Sequence, residues 1–108
     1  LFIGTVDGLL NHEINTGRTI RLSQERGLSG NNISALFLDS KNTLWVGARN
    51  KGVNFIKDRI ITALPKTGNI TPICFTEDED TNIWIGTFNG VYRIQKDSII
   101  KIVDENNG

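Results

Sequence analysis

Cysteine is almost missing from this sequence: Cys74 stands alone, so no internal disulfide can form and thiol usage says nothing about redox compartment. Histidine is as scarce, since His12 is the only copy and nothing sets it beside a nucleophile or a carboxylate. An excess of one charge is lacking too. Twelve Lys and Arg balance 12 Asp and Glu, so no net field draws in nucleic acid or an anionic membrane. No apolar run approaches the ~18 residues that span a bilayer and no charged-then-apolar leader opens the chain, so none of it is expected to insert into a membrane. Phosphate-cradling Gly-x-Gly-x-x-Gly and Gly-Lys-Ser/Thr segments are absent, as are metal-ligand spacings and paired carboxylates at recurring strand ends. The expectation is a chain with no cofactor, no metal and no catalytic residues.

What is present is repetition. Leu1-Phe2-Ile3-Gly4-Thr5 recurs as Leu44-Trp45-Val46-Gly47-Ala48 and as Ile83-Trp84-Ile85-Gly86-Thr87, the glycines standing 43 and 39 residues apart. A second glycine follows each copy, at Gly8, Gly52 and Gly90, and leads into a further apolar or mixed run. Between these marks lie short β-type runs separated by turn residues, with no sustained helical period. The central unit reads as strands at 33–38, 43–48, 53–57 and 59–64. The third reads as 71–76, 83–87, 91–95 and 98–103, and the first as a strand opening at Leu1 followed by 9–14 and 19–22. Four short antiparallel strands every 40 or so residues are the mark of β-propeller blades. The chain is therefore expected to be an all-β, incomplete propeller fragment of nearly three four-stranded blades. These are a partial blade at 1–26, a complete blade at 27–65, and at 66–108 a blade with the start of the next connection. A ring needs about 4 to 8 blades. The expected partners are thus the remaining blades of a longer parent, and uncovered terminal sheets predict self-association of the piece.

Phe2, Trp45 and Trp84 hold equivalent places, each between aliphatic neighbours, and are assigned a structural role as wedges between stacked sheets, with sugar stacking as the alternative. Gly4, Gly47 and Gly86 are assigned either to close backbone approach or to a positive φ. Asp39-Ser40-Lys41-Asn42 and Asp78-Glu79-Asp80-Thr81 read as turns. The acidic run Glu77–Asp80 lacks the spaced ligand order of a Ca²⁺ loop and is read as a solvated hairpin.

The segments Asp39-x-x-Asn42-Thr43-Leu44-Trp45-Val46-Gly47-Ala48 and Asp78-x-x-Thr81-Asn82-Ile83-Trp84-Ile85-Gly86-Thr87 resemble the two-component regulator propeller repeat, Asp-x-x-Gly-x-Leu-Trp-x-Gly-Thr followed by Gly-Leu. Gly27-Leu28-Ser29-Gly30-Asn31-Asn32-Ile33 resembles the family's lead-in to a blade's first strand. Asn42 and Thr81 replace the turn glycine and Ala48 replaces the threonine. A β-branched Thr tolerates the left-handed region poorly. The resemblance implies a segment of the periplasmic sensor region of a hybrid two-component regulator of gut Bacteroidetes, sensing glycans or their breakdown products.

In a meander, alternate connections share one edge of the sheet. The lead-in and the loop between second and third strands therefore fall together. That edge would carry Ser29, Asn31, Asn32, Arg49, Asn50, Lys51, Phe88 and Asn89, whose amide, cationic and aromatic groups suit an oligosaccharide. The same polar residues would equally serve to satisfy turn backbone. A scaffold or protein-interaction propeller is the alternative function, and a blade segment of a propeller polysaccharide lyase a third.

Overall fold

The structure, a computed structural model, describes residues 1–88, 90–95 and 98–104. Its strands are β1 (Phe2–Thr5), β2 (Gly8–His12), β3 (Thr19–Leu22), β4 (Ile33–Leu38), β5 (Leu44–Ala48), β6 (Gly52–Lys57), β7 (Ile60–Ala63), β8 (Cys74–Glu77), β9 (Ile83–Thr87), β10 (Gly90–Gln95) and β11 (Ser98–Asp104). They form three antiparallel meanders of three, four and four strands, ordered β1-β2-β3, β4-β5-β6-β7 and β8-β9-β10-β11. The all-β, bladed architecture expected from the repeat is the one found.

Two local differences have physical causes. The strand expected at 71–76 begins only at Cys74, because Pro72 has no N–H to give to a ladder. The second is a single 3₁₀ turn at Gln24–Arg26, where no helical element was expected; it ends at Gly27 with φ 110°.

The sheets stack face to face, and strict side-chain alternation along β5 decides what lies between them. Leu44 and Val46 point back to the first sheet, where they pack with Leu9, Leu28 and the half-buried Phe2, Leu22 and Ile33. Trp45, one position out of phase, points forward into a second core with Val53, Phe75, Ile83 and Ile85. Its ring lies 5.1 Å from that of Phe55 at a 45° tilt. Each large apolar side chain so buried contributes about 1.5–3 kcal/mol. The central sheet is thus covered on both sides. The outer two each cover one side and leave the other open, with Ile3 exposed on the first and Ile100 and Ile102 on the third. Trp84 lies on that open face of the third sheet, opposite in phase to buried Ile83 and Ile85, with the Arg93 guanidinium 5.5 Å from its ring centroid.

The second-strand glycines set how close the sheets come. A Cβ on Gly4 would stand 2.7 Å from Ile33 Cγ2, and one on Gly47 would stand 2.6 Å from Pro72 Cβ. Ile33 and Pro72 occupy the same place in successive repeats, at the entry to the next sheet's first strand. Each seats in the gap where a side chain is missing. At Gly86 the neighbour is instead Cys74 Sγ of the same sheet.

Each complete sheet carries one further device. Asp39 Oδ1 accepts the N–H groups of Lys41 and Thr43, both at 2.9 Å, while its Oδ2 accepts the indole N–H of Trp45 at 2.9 Å. Asp78 repeats this with Asp80 and Asn82 on one oxygen and Trp84 Nε1 on the other at 2.8 Å. One carboxylate thus closes the hairpin and fixes the aromatic ring six residues on. The turn residues Asn42 and Thr81 adopt φ 63° and 66°. Thr81 therefore bears left-handed strain that glycine would not, and the Asp78 network holds it there.

The indole N–H donated by Trp84 is the largest influence lowering the Asp78 pKa below its ordinary 3.8, opposed by desolvation and helped by the Asn82 and Asp80 donors. A depressed folded-state pKa stabilises above the unfolded value and loses that contribution as pH falls through the folded one. Asp78→Asn is accordingly less stable than the parent at about pH 7, and the gap narrows as the pH falls below the ordinary carboxylate value of 3.8. Urea-denaturation midpoints taken across that range check it, and a constant gap contradicts it.

Candidate functional site

The lead-ins and the β1–β2, β5–β6 and β9–β10 connections meet on one edge of the stack, the upper edge, and backbone hydrogen bonds tie them together. Gly8 N–H donates to Asn31 O at 2.6 Å and Gly52 N–H donates to Ile70 O at 3.0 Å, each bond reaching from one sheet to the lead-in of the next. Both glycines have positive φ, 111° and 83°, and a Cβ on Gly52 would run into the Thr67 carbonyl. Only glycine allows that approach.

Most polar side chains of this edge are spent on holding it. Asn54 is fully buried; its Oδ1 accepts Ser29 N–H at 2.9 Å and its Nδ2 donates to Ser29 Oγ at 3.0 Å. Thr67, 2% exposed, donates to Leu64 O at 2.9 Å and accepts Val53 N–H at 3.0 Å. Asn31 Oδ1 accepts Gln24 N–H at 2.8 Å. Asn50, with φ 57°, donates its N–H to Thr71 Oγ1 at 2.8 Å and accepts the Thr71 hydroxyl at 3.1 Å. Of the residues assigned to ligand contact from sequence, Ser29, Asn31 and Asn50 thus act within the scaffold.

Asn32, Arg49 and Phe88 are placed differently. They border a cleft of about 300 Å³ between the second and third sheets, floored by Ser34, Thr71, Pro72 and Ile73. Arg49 N–H donates to Asn32 O at 2.8 Å, which fixes the two residues side by side. Ser34 Oγ donates to Pro72 O at 2.5 Å and joins the walls. Phe88 is 85% exposed, an uncovered aromatic face at the rim. Lys51 is exposed on the same edge, its stem lying over Gly30 and outside the cleft. Asn89 lies outside the described residues.

The cleft therefore offers an amide, a guanidinium and an aromatic ring on a rigid floor. It contains no nucleophile–base pair. His12 lies in β2, its Nδ1 2.7 Å from Thr19 Oγ1, and no metal-holding cluster of His, Cys, Asp or Glu occurs among the described residues. On the opposite, lower edge the acidic run is divided. Asp78 turns in to Trp84, and Glu77 accepts Ser40 N–H at 3.0 Å and Ser40 Oγ–H at 2.6 Å, bridging two sheets. Sequence reading took Asp39 and Asp78 as plain turn residues. Their constant six-residue spacing to Trp45 and Trp84 was the available signal.

Three comparisons with known proteins fit this geometry. The family model described as Two component regulator propeller matches residues 27–50 and 64–89, each a lead-in, a first strand and the tryptophan-bearing second strand. The same fold occurs in the extracellular domain of BT4673 from B. thetaiotaomicron. It was solved once as that of a one component system (TM-score 0.86) and once as that of a hybrid two component system (TM-score 0.85), each at 19% identity over 98% of this chain. The extracellular domain of the BT3049 hybrid two component system of the same organism superposes with TM-score 0.74, at 19% identity over 94% of this chain. The chain spans only 15–16% of the length of those solved chains. No curated protein matches the sequence significantly. In class, the chain is part of a β-propeller domain. In sequence, its two segments 27–50 and 64–89 are similar to the two component regulator propeller repeat.

The division between scaffold and rim is testable by stability. Asn54→Ala leaves Ser29 N–H and Oγ without their Asn54 partner and opens a buried gap, costing about 2–4 kcal/mol. Phe88→Ala shifts stability by less than about 0.5 kcal/mol. Chemical denaturation of the two variants checks this, and similar losses at both positions contradict it.

Proposed function

We propose that this chain is a non-catalytic part of the extracytoplasmic, periplasmic sensor region of a hybrid two-component regulator, and that its upper edge contacts glycans or their breakdown products. In this reading 1–26, 27–65 and 66–108 are successive blade units. Further blades of the parent cover the open faces that bear Ile3 on one side and Trp84, Ile100 and Ile102 on the other.

The observation that carries the reading is a coincidence of position. Every residue around the cleft, from Asn32 to Phe88, lies inside one of the two segments that match the propeller repeat. The relatives with this fold are described as extracellular domains of signalling systems. The chemistry agrees. Saccharides are bound by hydrogen bonds to hydroxyls and by an apolar face against an aromatic ring, here Asn32 and Arg49 with Phe88. A rigid cleft formed by two stacked sheets also gives a ligand purchase on both sheets at once. That is what a sensor requires if binding is to bias domain arrangement.

Calorimetry of the intact extracellular domain against a panel of plant and host oligosaccharides tests this. At least one binds, and Phe88→Ala weakens it about tenfold with the melting temperature unchanged. A panel with no binder, or a binder indifferent to Phe88, contradicts the reading.

A further inference from the structure

The net charge of zero hides a separation of charge between the two edges. On the lower edge the β8–β9 hairpin holds Asp78, Glu79 and Asp80, and the β4–β5 hairpin holds Asp39 against Lys41. The upper edge leans the other way: Arg49, Lys51 and Lys66 stand there, with Asp7 on the β1–β2 turn, Asp104 ending β11 opposite Gly90, and Glu25 beside Arg26 on the β3–β4 connection. Asp7 is already engaged, since Arg21 Nη1 lies 3.1 Å from its Oδ1 and donates to its backbone carbonyl at 2.9 Å. Among the described residues none of the three upper-edge cations has a carboxylate in ion-pair contact.

The fold brings these cations together. Lys51 precedes Gly52 and Lys66 precedes Thr67, and Gly52 is packed directly on Thr67. Arg49 stands at the cleft beside Asn50, which is hydrogen-bonded to Thr71. All three side chains are exposed, so none is spent on the core. A cleft whose one charged lining residue is an arginine with no carboxylate in ion-pair contact among the described residues, and with no acid on its walls, carries a local positive potential that water and salt screen only in part.

We infer that the saccharide taken by this cleft is acidic, bearing a carboxylate or a sulfate that Arg49 receives through its planar fork of N–H donors, with Lys51 and Lys66 supplying longer-range attraction. The guanidinium matches the two oxygens of either anion in a way that an ammonium does not. The ring of Phe88 is left to stack on the sugar's apolar face. This inference rests on the saccharide reading above and narrows it to uronate-bearing or sulfated sugars.

The test uses matched probes on the intact extracellular domain: oligogalacturonate and its methyl ester, and a chondroitin sulfate disaccharide and its desulfated form. The acid of at least one pair binds about tenfold or more tightly than its neutral twin, and the advantage shrinks as salt is raised. Which pair responds separates a carboxylate from a sulfate ligand. Arg49→Gln removes most of the acid–neutral difference, and Lys51→Gln reduces it in part. If neutral sugars bind as well as acidic ones, or Arg49→Gln weakens both members of a pair alike, the acidic assignment is wrong while the saccharide reading stands. If no sugar of either kind binds, the saccharide reading itself fails. Equal binding to phosphatidylglycerol vesicles also overturns the inference, since it would show charge attraction without sugar recognition.

Discussion

The distance between successive sheets depends on a missing side chain. Gly4 and Gly47 leave a gap in the middle of a sheet face, and Ile33 and Pro72 fill it from the next sheet at distances where a Cβ could not fit. Once that approach is fixed, the rest follows from alternation. Leu44 and Val46 must face one neighbour and Trp45 the other, so two apolar layers form from one strand. The Asp39 carboxylate then holds the indole at the depth where it wedges between the second and third sheets, and Asp78 fixes the Trp84 indole in the same way on the open face of the third. The central repeat thus contains both the gap for its successor and the knob for its predecessor, which is why the pattern can propagate along a chain.

The same packing creates the upper edge. Close approach brings each β-strand connection against the lead-in of the following sheet, and the bonds from Gly8 to Asn31 and from Gly52 to Ile70 lock that arrangement. Asn54, Thr67 and Asn50 satisfy the backbone left over. What remains unspent is a short set: Asn32, Arg49 and Phe88 at the cleft, with Lys51 and Lys66 exposed on the same edge. A rigid frame with a few uncommitted polar and aromatic groups is the arrangement that binding surfaces on repeat proteins use.

Much of the fold was legible because it is written in periods. Apolar alternation and turn residues located the strands to within a residue or two, except at Pro72, where the missing N–H delays β8. The paired tryptophans and glycines announced the repeat. The use made of Asp39 and Asp78 was not legible from their type, since an aspartate in a turn looks the same whether it faces water or an indole. The edge that gathers Asn32, Arg49 and Phe88 followed from strand alternation alone. Ser29, Asn31 and Asn50 belong to the same edge but act inside the scaffold: the roles of Ser29 and Asn50 depend on registers between segments about 20 residues or more apart, which no local pattern encodes, and that of Asn31 on the unexpected 3₁₀ turn at Gln24. Charge separation was hidden for a similar reason: a sum of zero over the chain says nothing of which hairpins share an edge.

The most direct test of the packing is a double-mutant cycle in the intact propeller domain between Gly47→Ala and Pro72→Gly. If the two positions meet as described, Gly47→Ala costs about 1–3 kcal/mol with proline opposite and much less with glycine opposite, a coupling above about 1 kcal/mol. Losses that add to within about 0.5 kcal/mol would mean that the sheets are not held apart at this contact, and the account of their stacking would fail with it.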